Sequence, residues 1–351
     1  MQRRTPLWSA DEAIEQLRLA THPNADRNFY AFYSSEAKGI TKDPVGMVVP
    51  IDDHMAHRGH AVFDTALITQ GYLYQLDRHL DRLVASAAAA SIPLPPDGRE
   101  GMRTAILHTA AASCVENGSV RYWLSAGRGG FGLSGKECVR PSFYCIVYGS
   151  TPAEADPEEE PAHLRGWKVM TSSVPIKSGT FATLKSNNYL PNALCLMEAE
   201  AAGCDQGIFV DDEGFVAEGP NCNVMALLPD GELVTPPFDK ALAGITAQRV
   251  LELVGGLLES GDIADFPELG AIKKVSQRPI KVDEIKGAEE VMMLGSTTKA
   301  TSVVQWDAIT IGSGAPGTVT LALRRMIEND MEPPGPEHVE VPYGYVTGME
   351  L

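Results

Sequence analysis

The chain has 351 residues, 44% hydrophobic and 21% charged, which is material for two domains or one large one. Its net charge of −17, from 46 acidic and 29 basic residues, disfavours nucleic acid and anionic membrane as partners, because both need a basic footprint. No apolar run approaches the roughly 20 residues of a membrane span.

The first residues, MQRRTPLWSADEAIEQLRLA, carry three arginines, two of them at positions 3 and 4, and three early acidic residues but no apolar signal core. Six cysteines show no CxxC pair and no secreted-type framework. A cytoplasmic protein with reduced thiols is expected.

Helical spacing of Ala10, Ala13, Ile14, Leu17 and Ala20 predicts a helix over 8–22. Residues 1–28 then read as a helical extension. From about residue 29 the text turns β-rich. GMVVPID (46–52) and GYLYQL (71–76) read as strands, and DRHLDRLVASAAAASI (77–92) as a helix. A second helix is expected over 99–116. SVRYWLSAG and SFYCIVYG read as strands on either side of a glycine-rich loop. These elements make a smaller α/β domain over 29–149.

STPAEADPEEEPAH is rich in Pro, Glu and Ala and lacks an apolar period, so 150–163 reads as an exposed linker. The larger domain, 164–351, opens with the strand WKVMTSSV. A helix is expected to end near Ala202, stopped by Gly203. Its apolar stripe is Leu190, Ala193, Leu194, Met197 and Ala201. Short strands follow at GIFV, FVAEG, NVMALL and ELVTP. A helix from Thr246, the strand EEVMML and a last helix near 316–330 complete the pattern.

The chemistry centres on LKSNNYLPN. Lys185 lies in a polar turn that leads directly into a helix, so a packed element holds it. Glu218 ends the short strand FVAEG and is followed by Gly-Pro, which frees its carboxylate to face a cleft. AGITAQRV puts Gly244-Ile245-Thr246 at a helix start, where backbone N–H groups and the helix dipole favour an anion. LGSTTKA puts Ser296-Thr297-Thr298 after a strand, and Arg82 can add a forked cation. Lysine, carboxylate and anion cradle together suit pyridoxal 5′-phosphate: a covalent lysine, a partner for the ring nitrogen and an anchor for the phosphate. Singly each is weak, since most lysines in turns are merely solvated.

The motifs HRGHAVFDTA, GYLYQLDRHLDRL, LKSNNYLPN, EGPNCNV, GITAQRVLEL and LGSTTKATSV, in this order, resemble the class IV (fold-type IV) aminotransferases over residues 40–330. The likeness is strongest to their D-amino-acid branch of plant type. It implies a two-domain α/β (α+β) fold with barrel-like strands in the larger domain. It also implies a homodimer that moves an amino group between a D-amino acid and a 2-oxo acid, with no metal. Lys185 is then catalytic and Glu218 the ring-nitrogen partner. Arg82, Tyr189, Ile245, Thr246, Ser296 and Thr297 bind the cofactor. Phe63, Arg128, Phe131 and Thr298 face the substrate. (R)-amine transaminases and aminodeoxychorismate lyase share the fold and stay as alternatives. A branched-chain assignment is disfavoured, because Asp64-Thr65-Ala66-Leu67 replaces the Glu-Gly-Ile-Arg of those enzymes.

Two signals are set aside. GRGGFG (127–132) matches a dinucleotide fingerprint but no helical pattern follows it. His54, His57 and His60 are spaced by three, but a turn entering a strand is expected to scatter their rings. Lys177, in a turn before Ser-Gly, is the rival to Lys185.

Overall fold

The computed structural model describes residues 5–21, 25–149, 161–177 and 179–345. Two sheets organise it. The first contains β1 (Phe29–Ser34), β2 (Gly39–Thr41), β3 (Ala61–Thr69), β4 (Tyr72–Tyr74), β5 (Gly118–Ser125) and β6 (Ser142–Tyr148). The second contains β7 (Trp167–Thr171), β8 (Gln206–Ile208), β9 (Asn223–Leu227), β10 (Glu232–Thr235), β11 (Lys274–Gln277), β12 (Glu290–Gly295), β13 (Lys299–Trp306) and β14 (Ile309–Thr310). A last strand, β15 (His338–Glu340), pairs with β4. The strand orders are β15-β4-β3-β5-β6-β1-β2 and β11-β10-β9-β12-β13-β7-β8, with β14 on β13. Residues 338–340 therefore belong to the first sheet, although the sequence assigns them to the larger domain.

The first sheet is antiparallel and is covered by the helices Leu76–Ala89 and Gly98–Ser113, which bury Leu76, Leu80, Leu83, Ile106 and Ala110. The second is covered by Ile245–Ser260 and Thr318–Asp330, packed on Met225, Leu227, Met292 and Leu294. The strand-to-strand path of this sheet is nearly a ring. Phe209 and Ala217 pair beyond β8, and Glu218 bridges Asn223 at the start of β9. Glu218 thus sits where the ladder turns back on itself.

Several expectations change. GMVVPID is not a strand: Asp43 caps a short 3-10 turn at Pro44–Gly46, and Val48, Val49 and Ile51 stay exposed. Pro50 has no N–H to give a ladder. Residues 150–160 of the expected linker lie outside the described residues, and Ala162–Arg165 forms a short helix. The largest change is the Leu190–Ala201 helix. Its expected core stripe is exposed at Leu190 (69%), Leu194 (44%) and Met197 (60%), while Asn192, Cys195 and Ala199 are buried. The helix lies against β8 so closely that a Cβ on Gly207 would meet Cys195 Sγ at 2.5 Å. Small residues make that contact, so the apolar period marks the wrong face.

Candidate active site

The lysine turn is stitched to the first sheet as a short extra strand. Phe63 N donates to Lys185 O at 2.9 Å and Asn187 N to Ala61 O at 3.0 Å. Alternation along a strand sends successive side chains to opposite sides. Lys185 faces inward at half burial while its neighbours Ser186 and Leu184 are buried against other groups. Its Nζ donates to Tyr189 Oη at 3.3 Å and lies 4.9 Å from the Phe63 ring centroid. Phe63 and Tyr189 meet edge to face at 5.0 Å. Burial, helped by the nearby Arg82 charge, pushes the Lys185 amine down to about 8.

Glu218 is buried at 6% exposure and accepts the Leu242 N–H at 3.0 Å. Burial raises its carboxyl above the ordinary value. Lys177 Nζ stands 3.5 Å from its Oε1 and 5.3 Å from the Tyr189 ring centroid. Tyr189 therefore has a lysine near it on each of two segments.

Arg82 is held by two sides of its guanidinium. Nε and Nη2 donate to the two Asp64 oxygens, each at 2.8 Å, and Nη1 donates to Ala243 O at 3.0 Å. His79 Nδ1 is 2.9 Å from the same Asp64, which is fully buried and stays ionised against its burial cost through these partners. Asp64 is a positioning residue that the sequence reading passed over. A lone acid inside the apolar strand AVFDTALIT is the signal for it, because a buried charge demands a partner. The outer guanidinium edge, with one N–H left on each of Nη1 and Nη2, points to no protein acceptor among the described residues.

Arg82 shares a cavity of about 360 Å³ with Ala243, Ile245 and Gln248. Ile245 also lines a small cavity with Thr246, Ser296, Gln75 and His79. Both amide atoms of buried Gln75 lack a hydrogen-bond partner there. Gly244 precedes the helix, and a Cβ on it would fall 1.7 Å from Asn223 Oδ1, so the loop closes tightly only without a side chain. Helix start, serine, threonine, unpaired amide and free guanidinium edge form a donor set that fits a phosphate. Thr297 is exposed on the same turn. Thr298 Oγ1 lies 3.4 Å from the Sγ of buried Cys222.

The remaining expected residues fall elsewhere. Arg128 is bound to Asp52 through Nε at 2.8 Å and is about half exposed. Phe131 is 61% exposed and lies 4.9 Å from His57. Neither has a described contact with Lys185. Arg121, on β5 opposite Thr65, was missed. Its Nε donates to Thr65 Oγ1 at 3.0 Å and its Cζ lies 5.5 Å from the Phe63 centroid. It forms no ion pair among the described residues, and a cation in the middle of VRYWLS is the signal that could have found it. The three histidines are not scattered. His54 and His57 stand on the short helix His54–Arg58 and His60 follows its Gly59 cap, with the His54 and His60 Nδ1 atoms 3.1 Å apart and the His54 and His57 rings edge to face at 5.1 Å. Among the described residues no cluster of three His, Cys, Asp or Glu could hold a metal.

The residue types, their order and this fold can be compared with known proteins. The sequence profile of the amino-transferase class IV family matches residues 61–306, more than half of the chain. The chain belongs to the class IV aminotransferases. This aminotransferase is 46% identical over 340 residues to a chloroplastic D-amino-acid transaminase of Arabidopsis thaliana, covering 96% of this chain and 86% of that one. It is 27% identical to a D-alanine aminotransferase of Bacillus licheniformis, over 81% of this chain and 92% of that one. The branched-chain amino acid aminotransferase of Escherichia coli shares its fold, with a TM-score of 0.76 at 21% identity, covering 89% of this chain and 99% of that one.

The depressed Lys185 amine gives a direct expectation for the cofactor-free aminotransferase. A group with its pKa lowered to about 8 loses its proton two pH units or more before an ordinary lysine. Labelling of Lys185 by an amine-selective reagent is expected to be half-maximal near pH 8 and to level off about one pH unit higher, while surface lysines keep rising towards pH 10 and beyond. Peptide mass spectrometry after brief labelling across pH 6–10 reads both curves. A Lys185 curve that tracks the surface lysines would remove the desolvated amine.

Proposed function

We propose that this aminotransferase binds pyridoxal 5′-phosphate and transfers the amino group of a D-amino acid to a 2-oxo acid. The observation that carries the reading is a lysine whose Nζ donates to Tyr189 at 3.3 Å and lies 4.9 Å from the Phe63 ring, its amine pushed down by burial, with a buried carboxylate at Glu218 and an open guanidinium edge at Arg82. The relatives named for D-amino acids support the stereochemistry. Bound pyridoxal phosphate supplies a ring that accepts the electrons released at the α-carbon.

The protein's own groups divide the remaining work. Lys185, neutral above about pH 8 and partly so below it, takes the α-proton and returns it. Glu218 keeps a proton on the ring nitrogen, because an opposite charge close by favours the protonated form. Arg82, fixed by Asp64, offers its free edge to the phosphate alongside the Ile245 and Thr246 N–H groups, Ser296 and Thr297. Phe63 and Tyr189 wall the amine from water. Arg121, which forms no ion pair among the described residues, is the cation beside the Phe63 ring, and it receives the substrate carboxylate. Thr298 lines the substrate side.

The exposed stripe Leu190, Leu194 and Met197 supports a homodimer. Aligned apolar side chains on one helix are costly to leave in water, and a second copy of the same face covers them.

Initial rates with D-alanine and L-alanine, each with 2-oxoglutarate, test the reading. D-alanine is expected to be preferred by at least about a hundredfold, equivalent to about 2.7 kcal/mol of transition-state discrimination. Equal or inverted rates would overturn the stereochemical assignment. Pyruvate release from aminodeoxychorismate in place of transamination would favour the lyase alternative.

A further inference from the structure

Lys177 is not among the residues that the proposed chemistry uses, yet it makes the single ion pair of the Glu218 carboxylate among the described residues, at 3.5 Å. Glu218 is buried and Lys177 largely so, with side-chain exposures of 8% and 12%. Glu218 otherwise has one described donor to its side chain, the Leu242 N–H. Burial drives this carboxyl towards its neutral form, and Lys177 is the largest influence opposing that. Lys185 contributes less and is occupied with Tyr189.

The same lysine also lines a cavity of about 330 Å³ on another side. That cavity is walled by Phe215 and by three acids, Asp211, Glu213 and Asp239, which outnumber its one other cation, Lys240. A lysine stem is flexible and its ammonium strongly hydrated. Lys177 thus stands between a carboxylate that must meet a ring nitrogen and a cavity whose acidic wall can receive a displaced ammonium.

We infer that Lys177 is the resident counter-cation of Glu218, keeping the carboxylate ionised in the cofactor-free protein and yielding its place to the ring nitrogen on cofactor binding. This rests on the pyridoxal phosphate reading above. Loading is then an exchange of one cation for another at Glu218, with no proton gained or lost by the carboxylate. Lys177 is a positioning residue: it acts through Glu218 and not on the substrate.

The proton count tests this. Pyridoxamine 5′-phosphate is the probe, because it forms no covalent bond with Lys185. Its affinity for cofactor-free wild type, K177M, K177Q and K177R is measured by titration from pH 6 to 9. Removing the ammonium leaves Glu218 buried without a cation, so it holds a proton before binding and gives it up on binding. Both K177M and K177Q are therefore expected to bind more tightly as pH rises, by up to about tenfold per pH unit more than wild type. K177R keeps the charge and is expected to follow the wild-type curve. Calorimetry in buffers of different ionisation enthalpy reads the same difference as up to one extra proton released. Parallel pH curves for all four proteins would overturn the inference. Failure of wild type to bind the probe at any pH would instead overturn the cofactor reading beneath it.

Discussion

Lys185→Ala is expected to lower transamination by about a thousandfold or more, the scale on which a positioned general base acts. The same variant is expected to lose all cofactor that borohydride can fix to the protein, while still binding pyridoxamine phosphate through the phosphate cradle. That split follows from the geometry. The lysine stands on a turn stitched to β3, whereas the cradle stands on the Leu76–Ala89 helix, the start of the Ile245–Ser260 helix and the turn after β12. Substrate-free binding and single-turnover rates separate the two effects. A K185A protein that transaminates within tenfold of wild type would show that another group moves the α-proton.

The second large effect is expected at Glu218. Glu218→Gln keeps the size of the side chain and its hydrogen bond from Leu242 N but removes the charge. The ring nitrogen then loses the partner that holds its proton, and the interaction is lost where negative charge develops. A fall in kcat of about a hundred- to a thousandfold is expected, with KM changed much less. Glu218→Asp retains the charge on a shorter stem and is expected to recover part of the rate. Equal losses for both variants in kcat and in thermal stability would mark Glu218 as a structural residue of the β-ring.

Much of this site was legible in the sequence because its groups announce themselves locally. Lys185, Glu218 and the Gly244-Ile245-Thr246 helix start each sit at a break between elements, and breaks are written in Gly, Pro and Asn. Arg82 was legible as a cation on a helical face. Its holder Asp64 was not, because the pairing joins a strand to a helix 18 residues away and only the folded chain shows it. Arg121 was missed for the same reason: its partners are its neighbour across β3 and an aromatic ring, and no spacing rule names them. The fold followed the same division. Helices and strands with clear periods fell close to where the period put them, as at Leu76–Ala89 and Thr318–Asp330. The Leu190–Ala201 helix reversed its faces because sheet contact is made by Cys195, Ala199 and Gly207, whose small size carries little hydrophobic signal. GMVVPID read as a strand on its valines, yet it has no partner to complete a ladder.

Lys177 and Lys185 both approach Tyr189, so the central claim turns on which of them carries the cofactor. The most direct measurement is borohydride reduction of the protein loaded with pyridoxal phosphate, followed by digestion and mass spectrometry. The pyridoxyl mass is predicted on the peptide containing Lys185 and at one group per chain. The same mass on Lys177, or no fixed cofactor in a fully loaded protein, would contradict the account.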